Sequence, residues 1–317
     1  MKGLIGMDGN NLILFFQNGL TTLSNVGPIV GAILTAIFLR KNTRNAEFEK
    51  LKAGKFQEVA NQLLTEGYMT YTEFYKANNF LHIAEIADQV YKDKFKNRPA
   101  ENQKYDFDWF MRFYDIVGNV SEEEMQILWA KILAGEVHQK GTYSLQLLDI
   151  LKNFTQKQGK LFKKVCNHCF MSGNNFFVPN NNEYLKYADI TYQDILDLDS
   201  LGLMNSSPEI VLTGFMNLNN QFVLRNDELR MVVKHKKIEN INQDVEFEQY
   251  PFTAAGRELV KLIEVHATDE NFITFIKLTK KSLGELFIIE CDKIIETDNS
   301  IRFEKINLDG DIKIKED

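Results

Sequence analysis

Between Asp8 and Arg40 the chain carries no charged side chain, and that run limits what its first forty-one residues can become. A charge-free, largely apolar stretch leaves water either for a bilayer or for a place beneath other protein. A helix over Gly19–Leu39 is about 31 Å long at about 1.5 Å per residue, close to the roughly 30 Å of bilayer hydrocarbon. Thr21, Thr22, Ser24 and Asn25 interrupt the run, and Pro28 sets a kink or a helix start. Arg40, Lys41 and Arg44 border it, followed by Lys50, Lys52 and Lys55, whereas Lys2 is the only basic side chain before it. By the positive-inside rule this asymmetry predicts a single inner-membrane span with the C-terminal bulk in the cytoplasm. The run ends in Arg-Lys rather than at a small-residue cleavage site, which favours an anchor over a signal peptide. The alternative is a helix packed inside an oligomer or lying along an interface.

Within the run, Gly27 and Gly31 form a GxxxG that Thr35 continues, and Ala32 and Ala36 repeat the small-residue step on the neighbouring face. Such faces let helices approach closely, so they are candidates for self-association and predict a homo-oligomer. Gly and Ala are also common in any membrane helix, which is the plain reading of the same residues.

The rest reads as soluble protein. A hydrophobic fraction of 44% and a charged fraction of 26% exclude wholesale disorder and a multi-span membrane protein. A net charge of -7 and a pI near 5.4 oppose bulk attraction to nucleic acid. Cys166, Cys169 and Cys291 cannot all pair with one another, and fit a reducing compartment better than a disulfide scaffold.

Residues 42–104 predict a helical connector of two stretches broken near Gly67, with Thr70 or Thr72 available as a cap and the polar KNRPAENQK, 96–104, as linker. Residues 105–171 predict an antiparallel helical domain. DWFMRFYDIVGNVSEEEMQILWAKILAGEV places Trp109, Phe113, Ile116 and Val117 on one face. After a Ser121/Glu124 capping box, Met125, Leu128, Trp129, Ile132 and Leu133 recur at helical spacing, with Gly135 as the stop. A helix follows over Ser144–Phe154, and another starts at Thr155 with Gln158 completing a capping box; Leu161, Phe162, Val165, Cys166, Cys169 and Phe170 form its apolar stripe. Residues 172–317 predict a winged-helix-like α+β domain. It has a short helix ending at Gly202, strand-like EIVLTGF, QFVLRN and LRMVVKH, a helix capped by Thr253, another over Glu270–Lys281, and a terminal hairpin of ELFIIECDKIIE and SIRFEKINL. The expected fold class is therefore mainly α with a smaller α+β part: an N-terminal single hydrophobic helix, an antiparallel helical domain and a C-terminal winged-helix-like domain.

The block DWFMRFYDIVGNVSEEEMQILWAKILAGEV with GTYSLQLLDILKNFT closely resembles the centre of a bacterial family catalogued as domain of unknown function 2806. LGLM and FTAAGREL resemble that family's C-terminal part, so the likeness covers about residues 105–265. The resemblance implies no catalytic residue. Single-span proteins of this layout also resemble effectors of bacterial anti-phage systems, an analogy of layout alone.

Residues able to do chemistry are sparse. Cys166 and Cys169 form a CxxC around His168, but a zinc site needs about four ligands and no second pair completes it; small core residues are the plain reading. Asp311 and Lys313 make a D-x-K, with Asp292 and Asp309 upstream, the nearest approach to a metal-dependent nuclease pattern. A charged edge strand is the plain reading of the same residues. Asp194 follows Thr191 by three residues and reads as a cap, while Asp197 and Asp199 read as a solvated face. Trp109, Phe110, Phe113 and Trp129 fall at helical spacing and read as core. VKHKK, Val233–Lys237, is the only compact basic run after the linker, so a protein partner is expected ahead of nucleic acid. No cofactor or metal is called for. The function expected is a non-enzymatic, membrane-anchored protein, an oligomerising sensor or effector. The alternative is a soluble nucleic-acid-binding regulator or nuclease-like enzyme.

Overall fold

Thr70 opens the helix α1 (Tyr71–Phe95) because it and Glu73 cap each other: Glu73 N donates to Thr70 Oγ1 at 3.3 Å and Thr70 N donates to Glu73 Oε2 at 2.9 Å. This computed structural model describes residues 65, 70–95, 106–207, 210–214, 221–236, 245–297 and 300–308. The chain divides into two compact units, Met1–Leu148 and Asp149–Asp317.

The first unit holds α1, α2 (Phe107–Val117) and α3 (Glu123–His138), and the division falls inside α4 (Leu145–Lys152). Phe80, Ile83, Ala84 and Ala87 recur at helical spacing on α1 and are fully buried, as are Trp129, Ile132 and Leu133 on α3, against which α1 chiefly packs. Trp109 stacks on Phe113 with ring centres 5.3 Å apart, and its Nε1 donates to Tyr143 O at 2.9 Å. The buried Glu136 carboxylate accepts from Gly141 N at 2.7 Å and Tyr143 N at 3.1 Å, fixing the turn after α3. Two local expectations fail here. The residue capping α3 is Glu122, without a side-chain bond, in place of Ser121, and the helix runs through Gly135 to His138. Gly135 is there for space: a Cβ would sit 2.7 Å from the Tyr143 ring.

In the second unit, Thr155 and Gln158 form the expected capping box of α5 (Gln156–Cys166). The chain then passes into strands sooner than expected: β1 (Phe170–Ser172) and β2 (Asn175–Pro179) precede α6 (Asn182–Tyr187) and α7 (Tyr192–Ser200), the latter with its Thr191/Asp194 box. β3 (Val211–Gly214), β4 (Gln221–Arg225), β5 (Leu229–His235) and β6 (Val245–Pro251) follow. Then come α8 (Ala254–Ile263), capped by Thr253, α9 (Asp269–Leu283), and the hairpin β7 (Phe287–Thr297) and β8 (Ser300–Ile306). All eight strands join one sheet, in the order β3-β6-β2-β1-β4-β5-β7-β8, and every pairing is antiparallel. On one face Phe170, Phe177, Leu224, Met231, Val233 and Ile289 pack with Phe272, Phe275 and Ile276 of α9 in a single core.

This sheet overturns the expected fold class. A mainly α chain closing on a small winged-helix-like domain does not hold, because β1, β2 and β6, which were not anticipated, bond edge to edge with the anticipated strands and make a large sheet from them. The N-terminal hydrophobic helix of that expectation falls outside the described residues. Among the described residues no helix is long and apolar enough to cross a membrane.

Candidate functional site

Strand alternation decides what the far end of the sheet shows to solvent. Phe287, Ile289 and Cys291 of β7 point into the core, so Ile288, Glu290, Asp292 and Ile294 take the opposite face. Register then aligns charges across three strands: Arg230 of β5 lies opposite Asp292, and Asp292 lies opposite Lys305 of β8. Arg230 Nε and Nη2 reach Asp292 Oδ2 at 2.9 and 2.7 Å. Lys234 Nζ donates to Glu290 Oε2 at 2.5 Å and Lys305 Nζ to Glu290 Oε1 at 2.6 Å. Bonds from Lys234 and Lys305 hold the Glu290 carboxyl below the usual carboxylate range. The Arg230 guanidinium carbon lies 3.1 Å from the centre of the Phe303 ring, a cation–π contact. Around these paired charges Ile301 is 59%, Phe303 48% and Ile288 43% exposed. The arrangement suits recognition: apolar side chains stand in a frame of charges that already neutralise one another.

A second feature is a pair of adjoining clefts of about 400 and 240 Å³ that share Asn180, Asn181 and Ser282. Their polar groups are largely engaged in holding the local chain. Asn181 Oδ1 accepts from Tyr184 N at 2.9 Å, Asn180 Nδ2 donates to Glu248 Oε2 at 3.3 Å, and Lys281 pairs with Glu183 at 3.3 Å.

The residues singled out in the sequence fare differently. Gly27, Gly31, Thr35, Ala32 and Ala36, with Arg40, Lys41 and Arg44, lie outside the described residues, as do Asp309, Asp311, Lys313 and Lys237. Cys166 and Cys169 are both buried; burial, then the Cys169 neighbour, pushes the Cys166 thiol well above its ordinary value, the opposite of an activated thiolate. His168 between them is pushed down to about 4, first by burial and then by Lys164, and its Nδ1 lies 3.4 Å from Tyr184 Oη. Among the described residues no group of three or more His, Cys, Asp or Glu side chains could hold a metal ion. Asp292 is claimed by Arg230, and of the basic run Val233 is core and Lys234 is paired with Glu290. Asp194 takes its capping role at Thr191, with Lys164 at 3.4 Å. Sequence reading did not find Arg230, Glu290 and Phe303 as a cluster, because they meet only through the register of β5, β7 and β8, which no local spacing reveals.

A family model described as "Protein of unknown function (DUF2806)" matches residues 70–277, more than half of the chain. No curated protein and no solved structure matches it.

Proposed function

The chain belongs to this DUF2806 family, and from that premise we propose that it is a non-enzymatic protein held at a membrane, displaying its folded units on the cytoplasmic side to assemble and to bind a protein partner. The observation that carries the reading is the charge-free run between Asp8 and Arg40 with Arg40, Lys41 and Arg44 directly behind it. Burying that run in hydrocarbon is favourable, and the cationic border prefers the cytoplasmic leaflet. Gly27, Gly31 and Thr35, with Ala32 and Ala36 beside them, offer a close-packing surface to a second copy.

The folded part supports a binding role in the way it uses its reactive groups. The cysteine pair is buried with a raised thiol, and Asp292 and Glu290 are neutralised by Arg230, Lys234 and Lys305. Each serves the packing or the surface. Fractionation of cells expressing the full chain tests the reading. The chain should sediment with membranes, resist extraction by high salt and be released by detergent; recovery in the soluble fraction contradicts it.

A further inference from the structure

β8 ends the sheet, so its outer backbone edge has no strand beside it among the described residues. The ladder determines which residues present that edge. Ile294 N donates to Glu228 O at 2.7 Å and Lys236 N donates to Leu286 O at 3.1 Å, so even-numbered residues of β7 bond toward β5. The odd-numbered ones, Cys291 to Thr297, bond toward β8, where their partners are Ile306, Glu304, Arg302 and Ser300. Ile301, Phe303 and Lys305 therefore turn their N–H and C=O groups outward.

An antiparallel partner identical to β8 must match these outward residues with outward residues. Phe303 against Ile301 of a second copy puts Arg302 opposite Arg302. Phe303 against Lys305 puts Glu304 opposite Glu304. Phe303 against Phe303 places Arg302 opposite Glu304 twice, at the closely spaced non-hydrogen-bonded sites, and overlaps the whole of Ser300–Ile306. Arg302 and Glu304 form no ion pair among the described residues, whereas Lys305, Glu290, Arg230 and Asp292, on the opposite face of the sheet, are all engaged. Charged edge strands usually repel unwanted neighbours; here like charges block the two shifted registers and opposite charges favour the centred one.

We propose that β8 pairs antiparallel with β8 of a second copy about a two-fold axis through Phe303, joining the two sheets into one. The interface is isologous: each edge gives its partner the surface it receives. It rests on strand geometry and the charges along the edge, and holds whether or not the first forty-one residues lie in a membrane.

Differently tagged full-length chains carrying Arg302→Cys and Glu304→Cys are co-expressed, oxidised and separated without reductant. The mixed pair should give a disulfide-linked dimer at least about tenfold more abundant than either variant alone, because only the mixed pair brings the two thiols to one site. The native cysteines are buried and add little background. A mixed pair that links no better than the single variants overturns the proposal, whether because the chain's own residues beyond Leu308, another protein, or nothing occupies the edge. Charge reversal checks the register. Arg302→Glu or Glu304→Arg should each weaken association about tenfold, and the double reversal should restore it. Failure of the double variant to recover overturns the charge-selected register.

Discussion

β2 and β8 belong to one sheet and could hardly be used more differently. In β2, Phe176, Phe177 and Val178 are successive and all buried, so both faces are covered and the strand reads as an unbroken apolar run, as strands covered on both faces do. In β8, from Ser300 to Lys305, both faces are exposed, and apolar and charged residues alternate along Ile301, Arg302, Phe303 and Glu304. The sheet is thus covered core around β2 and a presented surface at β8. On one face of the open end Arg230, Lys234 and Lys305 are paired with Asp292 and Glu290 across the strands, whereas Arg302 and Glu304 on the other face form no ion pair among the described residues, and the outer edge is left as the feature that another strand can read.

Substitutions can break or sharpen this contrast. Phe177→Ala, in the covered core, should cost about 4 kcal/mol through lost burial and the cavity it leaves, read from chemical denaturation. Gly256→Ala should cost about 3 kcal/mol, because an added Cβ would fall 1.9 Å from Leu203 O and force α8 away from the turn it rests on. A denaturation midpoint unchanged from wild type would show that α8 is not held there.

Asp292→Ala should cost about 2 kcal/mol, since it leaves the Arg230 guanidinium half-buried without its carboxylate; the same assay reads it. His168 supplies a pH test. Its folded value lies near 4 against an ordinary 6.5, so between those values the unfolded chain takes up a proton that the folded chain refuses. Stability should be flat above about 6.5 and fall by about 1 to 2 kcal/mol as pH drops toward 4, allowing for partial exposure. In His168→Gln that slope should flatten. Phe303→Ala, at the open end, should change stability by only about 0.5 kcal/mol, the worth of an exposed cation–π contact. A loss there as large as at Phe177 would erase the distinction between the two regions.

How far the sequence revealed this depends on how many faces each element buries. Amphipathic helices with local caps were readable: Thr155 with Gln158, Thr191 with Asp194, and Thr253 all cap where their spacing indicated. The terminal hairpin was readable too, since its alternation flanks a short turn. β1 and β2 were not, because a strand buried on both faces has no period of two, and Phe170 instead continued the helical stripe of Phe162, Val165 and Cys166. β6 did carry the signal: Val245 and Phe247 are buried and Glu246 and Glu248 exposed in strict alternation. Missing those strands turned a large sheet into an apparent winged helix. The Arg230, Asp292 and Phe303 cluster was hidden for another reason, since its members meet only through strand register between residues far apart in the chain.

The reading of the chain as a membrane-held display is tested most directly from the two sides of its charge-free run. Single cysteines placed by Lys2→Cys and Asn45→Cys in the full chain are exposed to a membrane-impermeant maleimide in spheroplasts, against a quiet background from the buried Cys166, Cys169 and Cys291. The account predicts labelling at position 2 in intact spheroplasts and at position 45 only after permeabilisation. Protection of both positions until the membrane is opened would contradict it.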